Sequence, residues 1–211
     1  MTVKDLLPES AGNTEESESI LVIGLVEESA MATPEEWRFA SGAPSFWRSI
    51  LGSASRRRKV LAPSVNWNNI LFARFDDQVA GYLQFYRHGK GPHAPSYADI
   101  NREFGARSAW WRYLLYQLFH LRFCQFEAYI YRLIVKEEFR GQGVGRQLVD
   151  SWLDMLKAQG VRKAYLEVWS DNQSAIGFYK ALGFKVKPGL SYLPFKCCNK
   201  PYPITMVYQC Q

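Results

Sequence analysis

The sequence predicts an α/β (α+β) protein built on one sheet of about six to seven strands flanked by helices. Seven short apolar runs, several rich in β-branched residues, have the length and composition of strands. The clearest alternates Ala164, Leu166 and Val168 with larger or polar side chains, which is typical of a strand with one buried face. Another run leads through a glycine-rich turn into an amphipathic helix. The predicted strands are residues 20–26, 70–75, 79–86, 129–135, 163–169, 184–186 and 204–208.

The first part of the chain starts with a polar stretch, residues 1–19, that we expect to be flexible. Residues 20–211 are predicted to form one domain. A helix is expected from Thr33, because Thr33-Pro34-Glu35-Glu36 offers a cap, a proline in the first turn and a glutamate that closes a capping box. A second helical stretch is expected after Pro44.

Two of the strand-like runs, 70–75 and 79–86, are separated by only three residues and predict a hairpin. The aromatic segment 97–123 is predicted to be helical, and we treat it as an insertion. Its aromatic residues around Trp110 either cover a pocket or form a dimer face, and the sequence leaves both alternatives open.

The second half has the clearest order of elements. After strand 129–135 and the glycine-rich turn, apolar residues recur at helical spacing from Val144 to Leu156, and Gly160 is a natural end. Strand 163–169 follows, then a helix over 172–182. The last two strands are expected to pair around a long loop.

Composition limits the class of protein. Hydrophobic residues make up 47% of the 211 residues, enough to bury a core. No run is long and clean enough to span a bilayer, and no secretory leader is visible. Because the four cysteines lack a C-x-x-C spacing, we expect reduced thiols and a cytoplasmic protein. The three histidines show no metal-ligand spacing, so no metal is expected.

The net charge of +6 has three explanations: a nucleic-acid partner, a solvated basic surface, or a phosphate-rich small ligand. The dense basic run Arg56-Arg57-Arg58-Lys59 is short and lacks the interleaved aromatics of a single-strand binder. Charge alone does not decide among the three.

The turn Arg140-Gly141-Gln142-Gly143-Val144-Gly145 is the strongest functional motif. Successive backbone N–H groups in such a turn point into one concavity, and the helix that follows adds its own free donors. Glycines let phosphate oxygens approach and permit left-handed backbone angles. The turn therefore predicts a pyrophosphate ligand, although its spacing matches neither a dinucleotide fingerprint nor a nucleoside-triphosphate loop. A ligand-free tight turn is the alternative.

A second motif follows one helix and one strand later. It has the frame Asn-x-x-Ala-x-x-Phe-Tyr-x-x-Leu-Gly-Phe, filled by Asn172, Ala175, Phe178, Tyr179, Leu182, Gly183 and Phe184. In this order the two motifs resemble those of the GNAT superfamily of N-acetyltransferases, whose loop Gln/Arg-x-x-Gly-x-Gly/Ala is matched by Arg140, Gly143 and Gly145. The resemblance covers about residues 127–186. It implies a GNAT-like acyl-CoA N-acyltransferase fold with a mixed, twisted sheet.

The resemblance also implies an activity: transfer of an acetyl group from acetyl-CoA to a primary amine of a small molecule or protein. The cofactor would wedge between two splayed parallel strands, 129–135 and 163–169, and pair with the backbone of Leu133 and Val135. The Val135 N–H would polarise the thioester carbonyl. The amine attacks directly, so no protein nucleophile is needed. The implied cofactor-binding residues are Leu133, Val135, Arg140, Gly141, Gln142, Gly143, Val144, Gly145, Asn172 and Tyr179.

Proton transfers need an acid and a base. The resemblance assigns Tyr179 as the acid that serves the leaving thiolate, with a core aromatic as the alternative. Glu127 matches a position where many relatives carry an acidic residue and is our candidate base, with a solvated glutamate as the alternative. Glu167 is a weaker candidate. Arg132 departs from the family pattern and leaves the acceptor's charge open.

Two other function classes remain: a non-catalytic acyl-CoA-binding module that senses the cofactor and acts through a partner, and, last, a nucleic-acid binder supported by charge alone. Tyr179 together with the full loop favours catalysis. We expect acetyl-CoA and an amine acceptor as partners, no nucleic acid, no membrane, and a monomer or homodimer. Trp37, Trp47, Tyr82 and Tyr192 are candidates for the wall of an acceptor pocket or for the core.

Overall fold

A computed structural model of the chain describes residues 21–26, 32–44, 47–75, 78–187 and 201–210. Its centre is a seven-stranded sheet in the order β1-β2-β3-β4-β5-β7-β6. Within the described residues β4 and β5 form the parallel pair, and the remaining neighbours are antiparallel. The strands are β1 Leu21–Leu25, β2 Ile70–Phe75, β3 Gln78–Arg87, β4 Ala128–Val135, β5 Lys163–Trp169, β6 Lys185–Val186 and β7 Pro203–Gln209. The predicted mixed sheet flanked by helices is confirmed.

Seven α-helices accompany these strands in the described part of the chain. They are α1 Pro34–Ala40, α2 Arg48–Leu51, α3 Ala54–Leu61, α4 Tyr97–Phe104, α5 Ala106–Cys124, α6 Val144–Ala158 and α7 Gln173–Ala181. The capping box at α1 is confirmed, since Thr33 Oγ1 accepts from the Glu36 amide at 3.2 Å and Glu36 Oε2 accepts from the Thr33 amide at 2.9 Å. The predicted hairpin is β2–β3.

The prediction of one helical segment over 97–123 is wrong in one respect. Gly105, with φ +74°, divides the segment into α4 and α5. The short helix α3, which carries the basic run, was not predicted. Predictions about residues 1–19, most of loop 187–203 and Tyr192 lie outside the described residues.

The two faces of the sheet are covered by different helices. On β3, Leu83 and Phe85 belong to the cluster packed by α6 and α7, which includes Leu148 and the fully buried Trp152. Burying each such large side chain stabilises the fold by about 1.5–3 kcal/mol. The alternate residues, including Tyr82, lie on the opposite face with α1 to α5. We call these the α6 face and the α1 face.

Helix α5 packs Tyr116 and Phe123 into the α1-face core. Its other side leaves a stripe of large apolar side chains exposed, namely Trp110, Leu114, Leu118 and Leu121. None of the described helices has both the length and the apolar character needed to cross a bilayer. Cys124 and Cys210 are free thiols, and the other two cysteines lie outside the described residues.

Candidate active site

The strands β4 and β5 separate partway along their length. They pair from Ala128–Ala164 to Ile130–Leu166 only, whereas β5 pairs with β7 along all seven of its residues. Beyond this point, residues 131–135 of β4 and 167–169 of β5 enclose a space that we call the gap. The predicted splay between the two parallel strands is therefore present.

The backbone direction along β4 shows which groups open into the gap. The Lys136 amide donates to the Ala80 carbonyl at 2.9 Å and so points toward β3. Since backbone groups alternate sides along a strand, the N–H and C=O groups of Leu133 and Val135 point away from β3, into the gap. Arg140 Nε donates to the Val135 carbonyl at 3.3 Å, which agrees with this direction. An extended ligand in the gap would meet these two residues as a neighbouring strand would.

A bulge interrupts β4 where the gap begins. Gln84 of β3 lies opposite Arg132 and Phe85 lies opposite Ile130, so Tyr131 has no partner in the register. An extra residue shifts the alternation of side chains by one position. Tyr131 therefore packs at 5.5 Å from the Tyr86 ring, and Arg132 lies 5.6 Å from the Tyr82 ring, both on the α1 face.

The glycine-rich turn has the backbone geometry that its sequence predicts. Gly141 and Gly143 have φ of 79° and 80°, in the left-handed region that favours glycine, and Gly143 caps the start of α6. The first turn of the fifteen-residue helix leaves backbone N–H groups without intrahelical partners. Arg140 is exposed beside them, and Gln142 Nε2 donates to the Glu138 carbonyl at 2.9 Å. This combination of free donors, helix dipole and guanidinium suits a phosphate group.

The other two loop positions are less constrained. Val144 is buried and anchors the helix to the core. A Cβ at Gly145 would lie 3.5 Å from both Phe178 and Val135, which is ordinary contact. Gly145 therefore brings the helix close to β4 and α7 but is not sterically obligatory.

Tyr179 lies on α7, which starts beside the gap. Its ring is 9% exposed and packs edge-on against Phe178 and Phe184 at 5.0 and 5.7 Å. Burial raises the pKa of the Tyr179 hydroxyl above its ordinary value, so this hydroxyl keeps its proton at neutral pH. Asn172 caps α7, because its Oδ1 accepts from the Ala175 amide at 3.0 Å. Its capping role is thus present.

Glu127 lies at the other end of β4 from the gap. Its Oε2 accepts from the amides of Arg162 and Lys163 at 2.9 and 3.0 Å. Partial burial acts to raise the pKa of Glu127, but these two hydrogen bonds and the charges of Arg162 and Lys163 outweigh it and lower the pKa. At about 3.3 Å per residue, Leu133 is roughly 20 Å away along the strand. Glu127 thus has a structural role, because its hydrogen bonds link the start of β5 to β4.

Glu167 is the first β5 residue beyond the paired region and lines a cavity of about 440 Å³ at the mouth of the gap. We call it the tyrosine cavity. Its lining comprises Pro44, Ser49, Phe119, Arg122, Phe123, Tyr129, Tyr131, Glu167, Val168, Trp169 and Pro203. Helix α5 thus covers a pocket, but with the residues of its last turns and not with those around Trp110.

Two polar contacts organise this cavity. Arg122 Nη2 donates to Glu167 Oε1 at 2.5 Å, which draws helix α5 to β5. Trp47 Nε1 donates to the Tyr131 hydroxyl, and burial raises the pKa of Tyr131, so that hydroxyl stays protonated. Sequence reasoning did not identify Arg122 or Tyr131, because neither belongs to a local motif. Among the described residues, no group of three or more histidine, cysteine, aspartate or glutamate side chains could hold a metal ion.

Comparisons with known proteins point to one family. The model of the Acetyltransferase (GNAT) family matches residues 33–184. N-alpha-acetyltransferase 30 of Schizosaccharomyces pombe is 41% identical over 56 residues, which are 26% of this chain and 37% of that protein. The [Ribosomal protein bS18]-alanine N-acetyltransferase of Escherichia coli K12 is 38% identical over 58 residues, which are 28% of this chain and 39% of that protein.

The alignments with these two relatives span less than two fifths of their length. A solved structure described as an acetyltransferase superposes with a TM-score of 0.52 at 20% identity, covering 90% of this chain and 100% of the other. At that identity the likeness shows the fold alone.

Proposed function

Because the chain belongs to the GNAT family of acetyltransferases, we propose that it is an N-acetyltransferase that moves the acetyl group of acetyl-CoA to a primary amine. One observation carries the proposal: the gap beside Leu133 and Val135 lies between the phosphate-type turn at the start of α6 and a cavity that holds a carboxylate. A thioester donor and an amine acceptor can therefore meet at β4 from opposite faces.

The residues of the chain suit acetyl-CoA. The backbone of Leu133 and the N–H of Val135 would pair with its pantetheine arm, and the donors at Gly141 and Gly143 would hold its pyrophosphate. Arg140 would add a permanent positive charge. The cosubstrate supplies the activated acetyl group, so the protein needs no nucleophile of its own.

The amide of Val135 is the proposed donor to the thioester carbonyl. Its N–H points into the gap, and a donor fixed by a strand costs little reorganisation when charge develops on the oxygen. The Val135 carbonyl is engaged by Arg140, which helps to hold this stretch of backbone in place.

Tyr179 is the proposed acid that protonates the departing thiolate. Because burial raises the pKa of its hydroxyl, the proton is present at neutral pH, when it is needed. The Tyr179 hydroxyl together with the Glu167 carboxylate favours catalysis over a sensing module, which would need only the binding loop.

A base must take the proton of the incoming ammonium. Glu127 stays our sequence-based prediction for the base. Glu167 is the stronger candidate by position, because it lines the tyrosine cavity at the mouth of the gap. The Arg122 guanidinium donates a hydrogen bond to the Glu167 carboxylate and so holds it in place at the mouth of the gap.

A peptide α-amine is the first acceptor to test. One relative is named as an N-alpha-acetyltransferase and the other as an alanine N-acetyltransferase of ribosomal protein bS18. The tyrosine cavity is lined mainly by apolar and aromatic side chains. A small-molecule amine is the other class. A cytoplasmic location, and a monomer or homodimer, remain predictions that fractionation and analytical ultracentrifugation would test.

The proposal is tested by calorimetric titration of acetyl-CoA into the purified protein, followed by thiol release against a panel of peptides and small amines. We expect one binding site and CoA release that depends on the acceptor. Binding without release for any acceptor would favour the sensing module. No binding would overturn the assignment of the glycine-rich turn.

A further inference from the structure

A second cavity, of about 410 Å³, lies on the α1 face and is lined by four arginines. Arg38 comes from α1, Arg57 and Arg58 from α3, and Arg132 from β4. We call it the arginine cavity. The uncharged part of its lining includes Ser41, Gly42 and the Tyr82 ring.

The positive charge of this cavity is not neutralised by its own lining, which includes no aspartate or glutamate among the described residues. On α1, Glu36 is buried against Arg74, with Arg74 Nε 2.6 Å from Glu36 Oε1. Glu35 lies 2.7 Å from Lys136 Nζ and 3.7 Å from Arg38. Burial, and then repulsion by the other guanidinium groups, lowers the pKa of Arg57. Such crowding is relieved by an anion.

Buried polar side chains hold the wall of the cavity in place. Gln84 Nε2 donates to the carbonyls of Ala40 and Gly42 at 2.9 and 3.2 Å, and His93 Nε2 lies 2.7 Å from the Ala40 carbonyl. Gln84 and His93 are 0% and 2% exposed. A Cβ at Gly42 would lie 2.5 Å from Arg132 Nη1, so the glycine leaves room for that guanidinium. The wall of the arginine cavity is therefore fixed by buried hydrogen bonds of the fold.

The arginine cavity adjoins the tyrosine cavity at two places, in the loop after α1 and on strand β4. Along the loop after α1, Ser41 to Ala43 line the first and Pro44 lines the second. Along β4, Arg132 lines the first and its neighbour Tyr131 lines the second, because the bulge turns both to the α1 face. Consecutive Cα atoms are about 3.8 Å apart. One extended molecule can therefore occupy both cavities.

The position of the cavity separates its arginines from the proposed pyrophosphate site. The glycine-rich turn begins α6, which packs on the α6 face, whereas the four arginines lie on the α1 face. Their charge thus faces the acceptor side of β4.

Resting on the proposed function, we propose that the arginine cavity binds an anionic group of the acceptor, a carboxylate or a phosphate, while the acceptor's amine lies in the tyrosine cavity beside Glu167. In a peptide acceptor, the acid would fall within roughly the first three residues, since an extended chain advances about 3.3 Å per residue. A small acceptor would carry its anion at a similar distance from the amine.

The test uses two hexapeptides with a free N-terminal alanine, one with Asp-Glu and one with Asn-Gln at the second and third positions. Hydrogen bonds to charged groups are stronger than those between neutral groups, so we expect the acidic peptide to bind the CoA-saturated protein at least about tenfold more tightly. Calorimetry measures this affinity without turnover. Equal affinities for the two peptides would count against a peptide acid.

Matched variants show whether the cavity is responsible. Arg57→Gln is expected to remove most of the preference for the acidic peptide. Arg56→Gln is the control, because Arg56 lies on the same helix but pairs with Glu103 at 3.4 Å and is not part of the lining. Because Arg57 also donates to the Gly52 carbonyl at 2.8 Å, Arg132→Gln provides a second variant, and thermal melts check the fold of each. A preference that survives in both folded variants would overturn the inference.

Phosphoethanolamine compared with ethanolamine forms the small-molecule arm. Preference for the phosphate in this arm alone would support the inference with a small acceptor, and no preference in either arm would overturn it. The outcomes also separate the two proposals. Acetylation without any charge preference would leave the proposed function standing, whereas charge-selective binding without acetylation would refute the proposed function and keep the anion site.

Discussion

Tyr131 and Arg132 are neighbours in sequence, yet both side chains lie on the α1 face of the sheet. The Tyr131 ring is 5.5 Å from that of Tyr86, and the Arg132 guanidinium is 5.6 Å from the ring of Tyr82. The β4 bulge that allows this lies at the point where β4 separates from β5. One irregularity therefore lies where the gap begins and directs two polar side chains to the α1 face.

Replacing Gly143 by leucine should weaken acetyl-CoA binding by roughly 10- to 100-fold, because a side chain would intrude where we propose that the pyrophosphate binds. The positive φ also adds about 1–2 kcal/mol of strain. Gly160→Leu is the matched control, since Gly160 lies at the other end of α6 with φ of 70° and open space around it. Calorimetry should show a large change in Kd for the first variant only, and similar changes in both would point to strain.

Tyr179→Phe should lower kcat by roughly 100-fold while changing acetyl-CoA affinity little, because it removes only the hydroxyl that we propose as the acid for the departing thiolate. Since burial raises the pKa of this hydroxyl, the wild-type protein should keep its acid up to high pH, with no loss of rate near pH 8 from Tyr179. Steady-state kinetics and calorimetry separate the two effects. An equal loss of turnover and affinity would indicate a packing role.

Substitution of Glu167 should affect turnover, whereas substitution of Glu127 should affect stability. Glu167→Gln should lower kcat by roughly 100-fold if Glu167 is the base. Glu127→Gln should lower the Tm by a few degrees with little change in kcat, because it weakens the acceptor of the Arg162 and Lys163 amides. Parallel rate and melting measurements decide. The reverse pattern would restore Glu127 as the base.

His93 predicts a pH dependence of stability. Burial lowers its pKa from 6.5 to about 4, so the folded state holds it neutral. The contribution of neutral His93 to the free energy of unfolding is fully present above pH 6.5 and is lost as the pH falls toward 4. The loss amounts to up to about 3 kcal/mol, since one pKa unit corresponds to about 1.4 kcal/mol. Denaturant unfolding of the wild type and of His93→Gln should diverge in this range. If the free energies of unfolding of the two proteins changed in parallel with pH, His93 would not be the cause of the pH dependence.

Local patterns accounted for most of the fold. The alternation in β5, the capping box at Thr33 and the glycines of the turn each depend on a few consecutive residues, so the sequence displays them directly. Helix α3 was missed because Val60 and Leu61 are its only buried residues, so its basic run obscured the apolar face. The break at Gly105 was missed because aromatic residues continue on both sides of it.

The site was predicted less completely than the fold. The phosphate-type turn was predicted from its glycines, and the roles of Leu133 and Val135 were implied by the resemblance to the GNAT superfamily. The bulge at Tyr131 depends on the register between β3 and β4, which no local pattern reveals. The arginine cavity joins Arg57 to Arg132, residues 75 positions apart in the numbering, and needs the folded chain to exist. Flexibility of residues 1–19 and the status of 97–123 as an insertion stay predictions.

We propose that the chain transfers an acetyl group from acetyl-CoA to an amine. Mass spectrometry of free-amine peptides after incubation with protein and isotope-labelled acetyl-CoA measures this directly. We predict one labelled acetyl group on the N-terminal amine and one CoA thiol released for each acetyl transferred. Stoichiometric binding of acetyl-CoA with no labelled amine on any peptide or small acceptor would contradict the account.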